Sequence, residues 1–336
     1  MNRPHVVHLI DDTKAGGVMR VLDYILTSHD MALTARHSLR QVTRGALSFQ
    51  RIDADVIVSH LSINWRGLPA LIALRAVHSD IPLIHVEHSY TECFTALNVR
   101  HKGRFFALLR TTYALFNRVV AVSKAQGKWL VSRGLVSENN LCVIQPIVDL
   151  KAFEALPPAS EKVHVVGAMG RLSSEKGFDT LIKAFLASPK LKVSLHVYGD
   201  GPERSNLEAL AAQDSRIRFF GFIDQPAQAM AAVDAIAMPS RWESFGLVAL
   251  EARAAKRKLL VSTVDGLNDH IEEGAIGVVG QSISAWSRAL ETMITSRTSD
   301  QVKARTCDSI EHEFSASWAH LIGVLTCVNG DQVLAS

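Results

Sequence analysis

Short apolar runs rich in Val and Ile alternate along the chain with longer segments in which apolar residues return every three or four positions. The runs fit strands buried on both faces and the longer segments fit helices with one apolar face, so the pattern predicts parallel sheets covered by helices. Strands are expected at residues 6–10, 56–59, 83–87, 118–122 and 141–144, and helices at 17–27, 67–78, 104–116 and 124–133. Only one strand is readable between residues 28 and 60. A second series has strands at 163–169, 192–198, 217–219 and 235–238, with helices at 178–187 and 203–213. Each series reads as a doubly wound α/β unit.

Between the two series, Pro146-Ile147-Val148-Asp149 and Pro157-Pro158-Ala159-Ser160 form a proline-rich break. It predicts a first domain over 1–147, a linker over 148–160 and a second domain over 161–308. Residues 309–336 form a last segment whose helical period, clearest over 309–325, predicts a helix packed back on the first domain. The full length of 336 residues suits two domains, each large enough for its own core.

Composition narrows the class. At 48% hydrophobic and 21% charged residues the chain fits a folded soluble protein and excludes disorder as its main state. No stretch approaches the ~18 apolar residues of a membrane span, and the N-terminus lacks the apolar stretch of a signal peptide. Cys93, Cys142, Cys307 and Cys327 are scattered without a close pair, which reads as core thiols in a reducing compartment. A cytoplasmic protein is therefore expected, with any membrane contact peripheral.

The net charge of +3 hides an asymmetry. Residues 1–150 carry 17 basic and 11 acidic residues, whereas the remainder carries 19 and 22. A basic half fits a protein that meets an anionic surface, and it equally fits ordinary surface scatter. Arg100-His101-Lys102-Gly103-Arg104-Phe105-Phe106-Ala107-Leu108-Leu109-Arg110 has the basic and apolar mixture of a helix lying on an anionic membrane, or of a domain helix with its apolar face in the core. Nucleic acid fits poorly, because the isoelectric point near 8.7 is modest and no nucleic-acid motif accompanies the patch.

Three stretches carry candidate chemistry. In Pro239-Ser240-Arg241-Trp242-Glu243-Ser244-Phe245-Gly246-Leu247-Val248-Ala249-Leu250-Glu251-Ala252, two glutamates stand eight apart across a glycine turn and a helix start. That spacing lets both carboxylates face one cleft, and it equally suits a solvated helix with an acid at its N-terminus. Gly170-Arg171-Leu172-Ser173-Ser174-Glu175-Lys176-Gly177 follows a buried strand and offers a guanidinium fork and an ammonium to a diphosphate. Gly199-Asp200-Gly201-Pro202 ends another strand, at the carboxyl edge where open α/β sheets bind ligands. Asp53-Ala54-Asp55 reads as a capped strand start and no HExxH pattern is present, so no metal site is expected.

In their order and separations, GRLSSEKGFDTLIKAF, LHVYGDGP, IRFFGF and AMPSRWESFGLVALEA resemble the retaining GT-B glycosyltransferases of family 4, the group 1 glycosyltransferases. Ala15-Gly16-Gly17-Val18, His85-Val86-Glu87-His88 and Ala121-Val122-Ser123 extend the resemblance more loosely into the first domain. The resemblance implies a GT-B fold, with two Rossmann-like domains facing a central cleft, a nucleotide-sugar donor held by the second and an acceptor by the first. It implies that Arg171 and Lys176 neutralise the donor diphosphate, that Glu251 holds the ribose, and that Glu243 lies near the donor sugar. The backbone of Ser244, Phe245, Gly246 and Leu247 would contact its hydroxyls or phosphate, and Gly16, Gly17 and Gly199 would line the donor site. The family histidine corresponds to His85 or His88. The loop entrance favours His88, while His85 is expected to face the sheet interior.

The implied activity is transfer of a sugar, with retention by front-face attack and without a metal or other cofactor, from a UDP- or GDP-sugar to a carbohydrate or glycolipid acceptor. A role in bacterial lipopolysaccharide or exopolysaccharide synthesis is expected of a cytoplasmic protein, any membrane contact being peripheral and at the inner face of the cytoplasmic membrane. An epimerase or inverting transferase on the same fold, or a non-catalytic binding protein, are the alternatives. The chain departs from the family where Arg253-Ala254-Ala255-Lys256-Arg257-Lys258 replaces the usual Met-Ala and Ala-Gly-x-Pro turn. A glycine pair is also reduced to Asp265-Gly266, and Pro146-Ile147-Val148-Asp149 lacks the common Asn-Gly.

Overall fold

The computed structural model describes residues 3–13, 16–43, 50–212, 214–296 and 305–333. The chain divides into two compact units, one of Met1–Val148 with Asp308–Ser336 and the other of Asp149–Cys307. Among the described residues each unit holds one six-stranded parallel sheet.

In the first unit the elements run β1 (His5–Ile10), α1 (Gly17–Thr27), α2 (His29–Thr34), β2 (Arg36–Gln41), β3 (Val56–Ser59) and α3 (Leu68–Val77). They continue with β4 (Leu83–Glu87), α4 (Glu92–Asn98), α5 (Lys102–Tyr113), β5 (Arg118–Ala121), α6 (Lys124–Ser132) and β6 (Leu141–Val143). The strand order is β2-β1-β3-β4-β5-β6, so the winding reverses between β1 and β3. Val7, Leu9, Ile57, Leu83 and Val119 from the strands meet Leu74, Leu109 and Leu130 from the helices in one buried apolar core. Burying each such side chain contributes about 1.5–3 kcal/mol.

The second unit begins with α7 (Lys151–Glu154), then β7 (Val165–Met169), α8 (Phe178–Leu186), β8 (Ser194–Tyr198), α9 (Arg204–Ala211) and β9 (Ile217–Gly221). After these come α10 (Pro226–Ala231), β10 (Ala235–Met238), α11 (Leu247–Ala254), β11 (Lys258–Ser262), α12 (Leu267–Glu272), β12 (Ile276–Val278) and α13 (Ile283–Thr295). The order β12-β11-β10-β7-β8-β9 reverses between β7 and β10. Its core is built around Phe185, Leu195, Leu260 and Trp286, each fully buried. The last helix, α14 (Cys307–Val333), packs on the first unit, with Phe314 edge-on to Tyr24 at 5.9 Å and Trp318 edge-on to His8 at 6.2 Å.

The periodic segments became the expected strands and helices within a few residues at their ends. The unread strand is β2, whose Arg-His-Ser-Leu-Arg-Gln sequence pairs with β1 alone at the sheet edge. An edge strand with exposed faces needs no continuous apolar run, so hydrophobicity does not mark it. Asp55, just before β3, caps the start of the adjacent β1, its Oδ2 accepting from the His5 amide at 2.7 Å. The cysteines correct the expectation of four core thiols: Cys307 is buried, Cys93 and Cys142 are half-buried and Cys327 is exposed. Three of them sit on outward faces of helices or on the edge strand β6, where burial is incomplete.

The missing glycine and proline of the turn after α11 leave that turn intact. The Lys256 amide bonds the Arg253 carbonyl at 2.9 Å and the Arg257 amide bonds the Ala252 carbonyl at 2.8 Å, which is a Schellman ending. Lys256 itself takes the left-handed conformation at φ 54°. Arg257 donates to the Pro157, Met230 and Ala255 carbonyls, while buried Lys258 donates to those of Met293 and Ser296. The two extra cations thus tie the turn to the chain around it.

Candidate active site

In an open α/β sheet the loops leaving the strands on either side of the reversal splay apart and leave room for a ligand. In the second unit those strands are β7 and β10, and their loops carry Gly170–Gly177 and Pro239–Gly246. Lys176 Nζ donates to Glu243 Oε2 at 2.5 Å, and the Ser240 hydroxyl donates to the same oxygen at 3.3 Å. The Arg241 amide donates to the Glu175 carbonyl at 2.7 Å, and its guanidinium holds both Asp179 oxygens at 2.9 and 3.0 Å. The two loops are therefore fastened together, and the Lys176–Glu243 pair, only partly exposed, sits at their junction. Arg171 lies in the same β7 loop and is exposed.

Glycines make this closeness possible. A Cβ on Gly177, at φ 66°, would lie 2.1 Å from the Pro239 carbonyl oxygen, and one on Gly199, at φ 132°, would lie 1.9 Å from that of Gly170. Next to them the Asp200 carbonyl accepts from the Leu172 amide at 2.9 Å, which fastens the β8 loop to the β7 loop. The Gly266 amide donates to the Glu243 carbonyl at 2.9 Å.

Gly246 caps α11 in the left-handed region at φ 98°, so that Ser244, Phe245 and Gly246 lead directly into the free amides at the helix start, from Leu247 on. Glu251 stands one turn further, buried at 1% exposure. His270 on α12 was not marked by the sequence. Its Nε2 donates to the Phe245 carbonyl at 3.1 Å while its ring packs on Phe245, so it holds the loop from behind. Burial, and then the nearby Arg253 charge, push His270 down to about 3, the Phe245 carbonyl offsetting this only in part.

The first unit brings a separate set together at its β1–β3 reversal. Gly16 is extended and Gly17 opens α1, while Ala15 of the same loop lies outside the described residues. Asp11, after β1, accepts from the Ser62 hydroxyl at 3.2 Å. His85 is buried against Tyr113 and Phe116, in the interior. His88, one residue past β4, is only partly buried. The turn that carries it is held by Glu87, whose Oε1 accepts from the Ser89 and Tyr90 amides at 2.7 and 3.0 Å and whose Oε2 accepts from the Tyr113 hydroxyl at 2.6 Å. Burial alone would raise the Glu87 carboxyl, but His85, Tyr113 and the Ser89 amide outweigh it and hold the group below its ordinary value.

His88 does not stand alone. Its Nε2 lies 2.9 Å from His60 Nδ1, His60 Nε2 lies 3.0 Å from His8 Nδ1, and His8 Nε2 lies 3.0 Å from His37 Nδ1. Sequence reasoning missed His8, His37 and His60. The one available signal was positional, since His60 and His88 each stand one residue past adjacent strands. Burial holds His88 and His37 near 4 and His8 near 3, and it holds His60 well below its ordinary value. All four rings are therefore neutral at pH 7.

Helix α5 turns Leu108, Leu109 and Tyr113 into the core and exposes Lys102, Arg104 and Arg110. Of the expected amphipathic surface, most of the apolar face is thus used inside the unit, and the outward face is basic. No helix among the described residues is long and apolar enough to cross a membrane.

Residues 163–296 match the family described as glycosyl transferases group 1, and residues 2–152 match glycosyltransferase family 4. The chain is 30% identical over 340 residues to a D-inositol 3-phosphate glycosyltransferase of Salinispora tropica, across 87% of this chain and 67% of that protein. It spans about half the length of further relatives of the same description, such as that of Nocardia farcinica at 28% identity. Among solved structures, Anabaena Alr3699/HepE in complex with UDP and glucose superimposes over 99% of this chain and 100% of that one, with a TM-score of 0.67 at 18% identity. The lipopolysaccharide outer core galactosyltransferase WaaB in its apo form has a TM-score of 0.63 at 15% identity, over 98% of this chain and 99% of that one. With two parallel α/β sheets of the GT-B kind and both halves of the sequence matched, the chain belongs to the group 1, family 4 glycosyltransferases.

Proposed function

We propose that the protein is a retaining transferase that moves a sugar from a UDP- or GDP-sugar to a carbohydrate or glycolipid acceptor in the building of a bacterial cell-envelope polysaccharide. The observation that carries this reading is the Lys176–Glu243 pair at the β7–β10 reversal, with the exposed Arg171 in the same β7 loop and Glu243 leading into the start of α11. As the bond from the anomeric carbon to the diphosphate breaks, charge builds on the leaving group. Preplaced cations and helix amides stabilise that charge without reorganising. Glu243 holds Lys176 in place and uses Oε2 to do so, which leaves Oε1 for a donor-sugar hydroxyl. Glu251, one turn into α11, accepts from the ribose hydroxyls.

In the retaining step the acceptor oxygen bonds the anomeric carbon on the face from which the diphosphate departs, and the acceptor hydroxyl proton passes to the leaving phosphate oxygen. Arg171 and Lys176 supply the charge that a metal ion supplies elsewhere, so a chelator is expected to leave the rate unchanged. A uridine nucleotide is favoured by the ligand of the Anabaena structure, and an envelope acceptor by the name of WaaB. Attachment to the inner face of the cytoplasmic membrane would be electrostatic, through Arg100, Lys102 and Arg104.

A panel of UDP- and GDP-sugars tests the proposal. At 100 times its dissociation constant the right donor stabilises the protein by about 2.7 kcal/mol, and the product keeps the anomeric configuration of the donor. An inverted product overturns retention. Absence of binding to every nucleotide sugar, together with unchanged behaviour of Glu251→Ala, overturns the reading as a whole.

A further inference from the structure

The four linked histidines cross the first unit one strand at a time. His37 is on β2, His8 on β1, His60 directly follows β3 and His88 directly follows β4, which is the order of neighbours in the sheet. Each contact joins Nδ1 of one ring to Nε2 of the next. A nitrogen–nitrogen contact of this length holds one proton, and a neutral imidazole brings one. Four rings therefore bring four protons to three contacts, and the fourth proton must sit at one end, on His37 Nε2 or on His88 Nδ1. No mixed arrangement satisfies all three contacts, so the rings share one tautomer.

The His37 end decides which. The Thr34 hydroxyl gives its only proton to the Met31 carbonyl at 2.8 Å, so towards His37 Nε2, at 3.4 Å, it offers a lone pair. His37 is thereby the Nε2–H tautomer, and the same tautomer follows in His8, His60 and His88. His88 Nδ1 is left with its lone pair outward, and His60 is the ring's one hydrogen-bond partner among the described residues.

We propose that Thr34, His37, His8 and His60 are positioning residues that lock His88 as its Nε2–H tautomer, so that Nδ1 is an acceptor for a ligand hydroxyl or amide and rejects a phosphate or carboxylate oxygen. The burial of His8 beneath Trp318 and the low basicity of all four rings keep the chain neutral, which the proton count requires. That the hydroxyl belongs to a sugar rests on the proposed function; the lock does not.

Nitrogen-15 imidazole spectra of the full-length protein at pH 7 test it without any assay of transfer, so failure of the glycosyltransferase reading would leave this result standing. The expected outcome is the Nε2–H tautomer in all four rings. His60→Phe cuts the chain beside His88 and should let that ring populate the Nδ1–H tautomer as a detectable minor form. Thr34→Val removes the hydroxyl acceptor at the far end with little change of shape, and should admit the opposite tautomer in the four rings together. A proton on His88 Nδ1 in the unaltered protein, an imidazolium in the chain, or a His88 tautomer indifferent to both substitutions overturns the lock. The spectrum of the unaltered protein decides even if the substituted chains fail to fold.

Discussion

Lys176 contributes through its place as much as its charge: the ammonium is fixed on Glu243 before any ligand arrives. Lys176→Met keeps the length of the side chain and removes the charge. It is expected to lower kcat by about 10²–10³-fold, the usual loss for one preplaced group that stabilises a leaving charge. Steady-state kinetics with the preferred donor check this, and a change confined to KM would move Lys176 from the chemical step to binding. Lys256 offers the opposite case, a residue placed against its own preference. The left-handed conformation at φ 54° costs an ordinary side chain on the order of 1 kcal/mol, which glycine avoids. Lys256→Gly should therefore stabilise the protein by up to about 1 kcal/mol in urea unfolding; a loss of stability would show that the lysine side chain does more there than fill the turn. At this scale the motif residues were legible because their chemistry travels with local spacing. His8, His37 and His60 were not, because their partners lie 29, 52 and 28 residues away and meet only across the sheet.

Strands and helices contribute by placing these side chains at the two reversals of winding. The β7 and β10 loops can touch only where glycine permits it, and a Cβ on Gly177 would be driven into the Pro239 carbonyl. The first sheet carries a different dependence, on pH. His8 titrates near 3 when folded against 6.5 when free, and its side chain is fully buried. Below pH 6.5 the unfolded chain takes up a proton that the folded chain refuses. Stability from this residue is thus complete above 6.5 and falls by about 1.4 kcal/mol per pH unit as the pH drops towards 3. Urea unfolding at pH 7.5 and 5.5 should show the loss, and His8→Phe should reduce it. A midpoint independent of pH would contradict the buried neutral ring. Elements with a buried face were legible from their period. The polar edge strand β2 was not, since its contribution is the backbone ladder to β1.

Over the whole molecule the modest net charge of +3 conceals a basic first half and an acidic second half. Helix α5 spends its buried apolar residues on the core and leaves Lys102 and Arg104 outside, next to Arg100. Attraction to an anionic surface would then be mainly electrostatic, worth about 1 kcal/mol per basic residue and screened by salt. Reversing Arg100, Lys102 and Arg104 to Glu should weaken binding to vesicles rich in anionic lipid, most at low salt. Unchanged binding would return the asymmetry to surface scatter. By itself the sequence determined the fold class, the family and the candidate donor residues Arg171, Lys176, Glu243 and Glu251, because periodicity and motif spacing are local properties of the chain. Only the tertiary structure decided that Lys176 and Glu243 meet, that Lys256 closes a turn built for glycine, and that His88 ends a line of four imidazoles. Those facts depend on which strands become neighbours, and neighbours in a sheet are chosen by the packing of the whole unit.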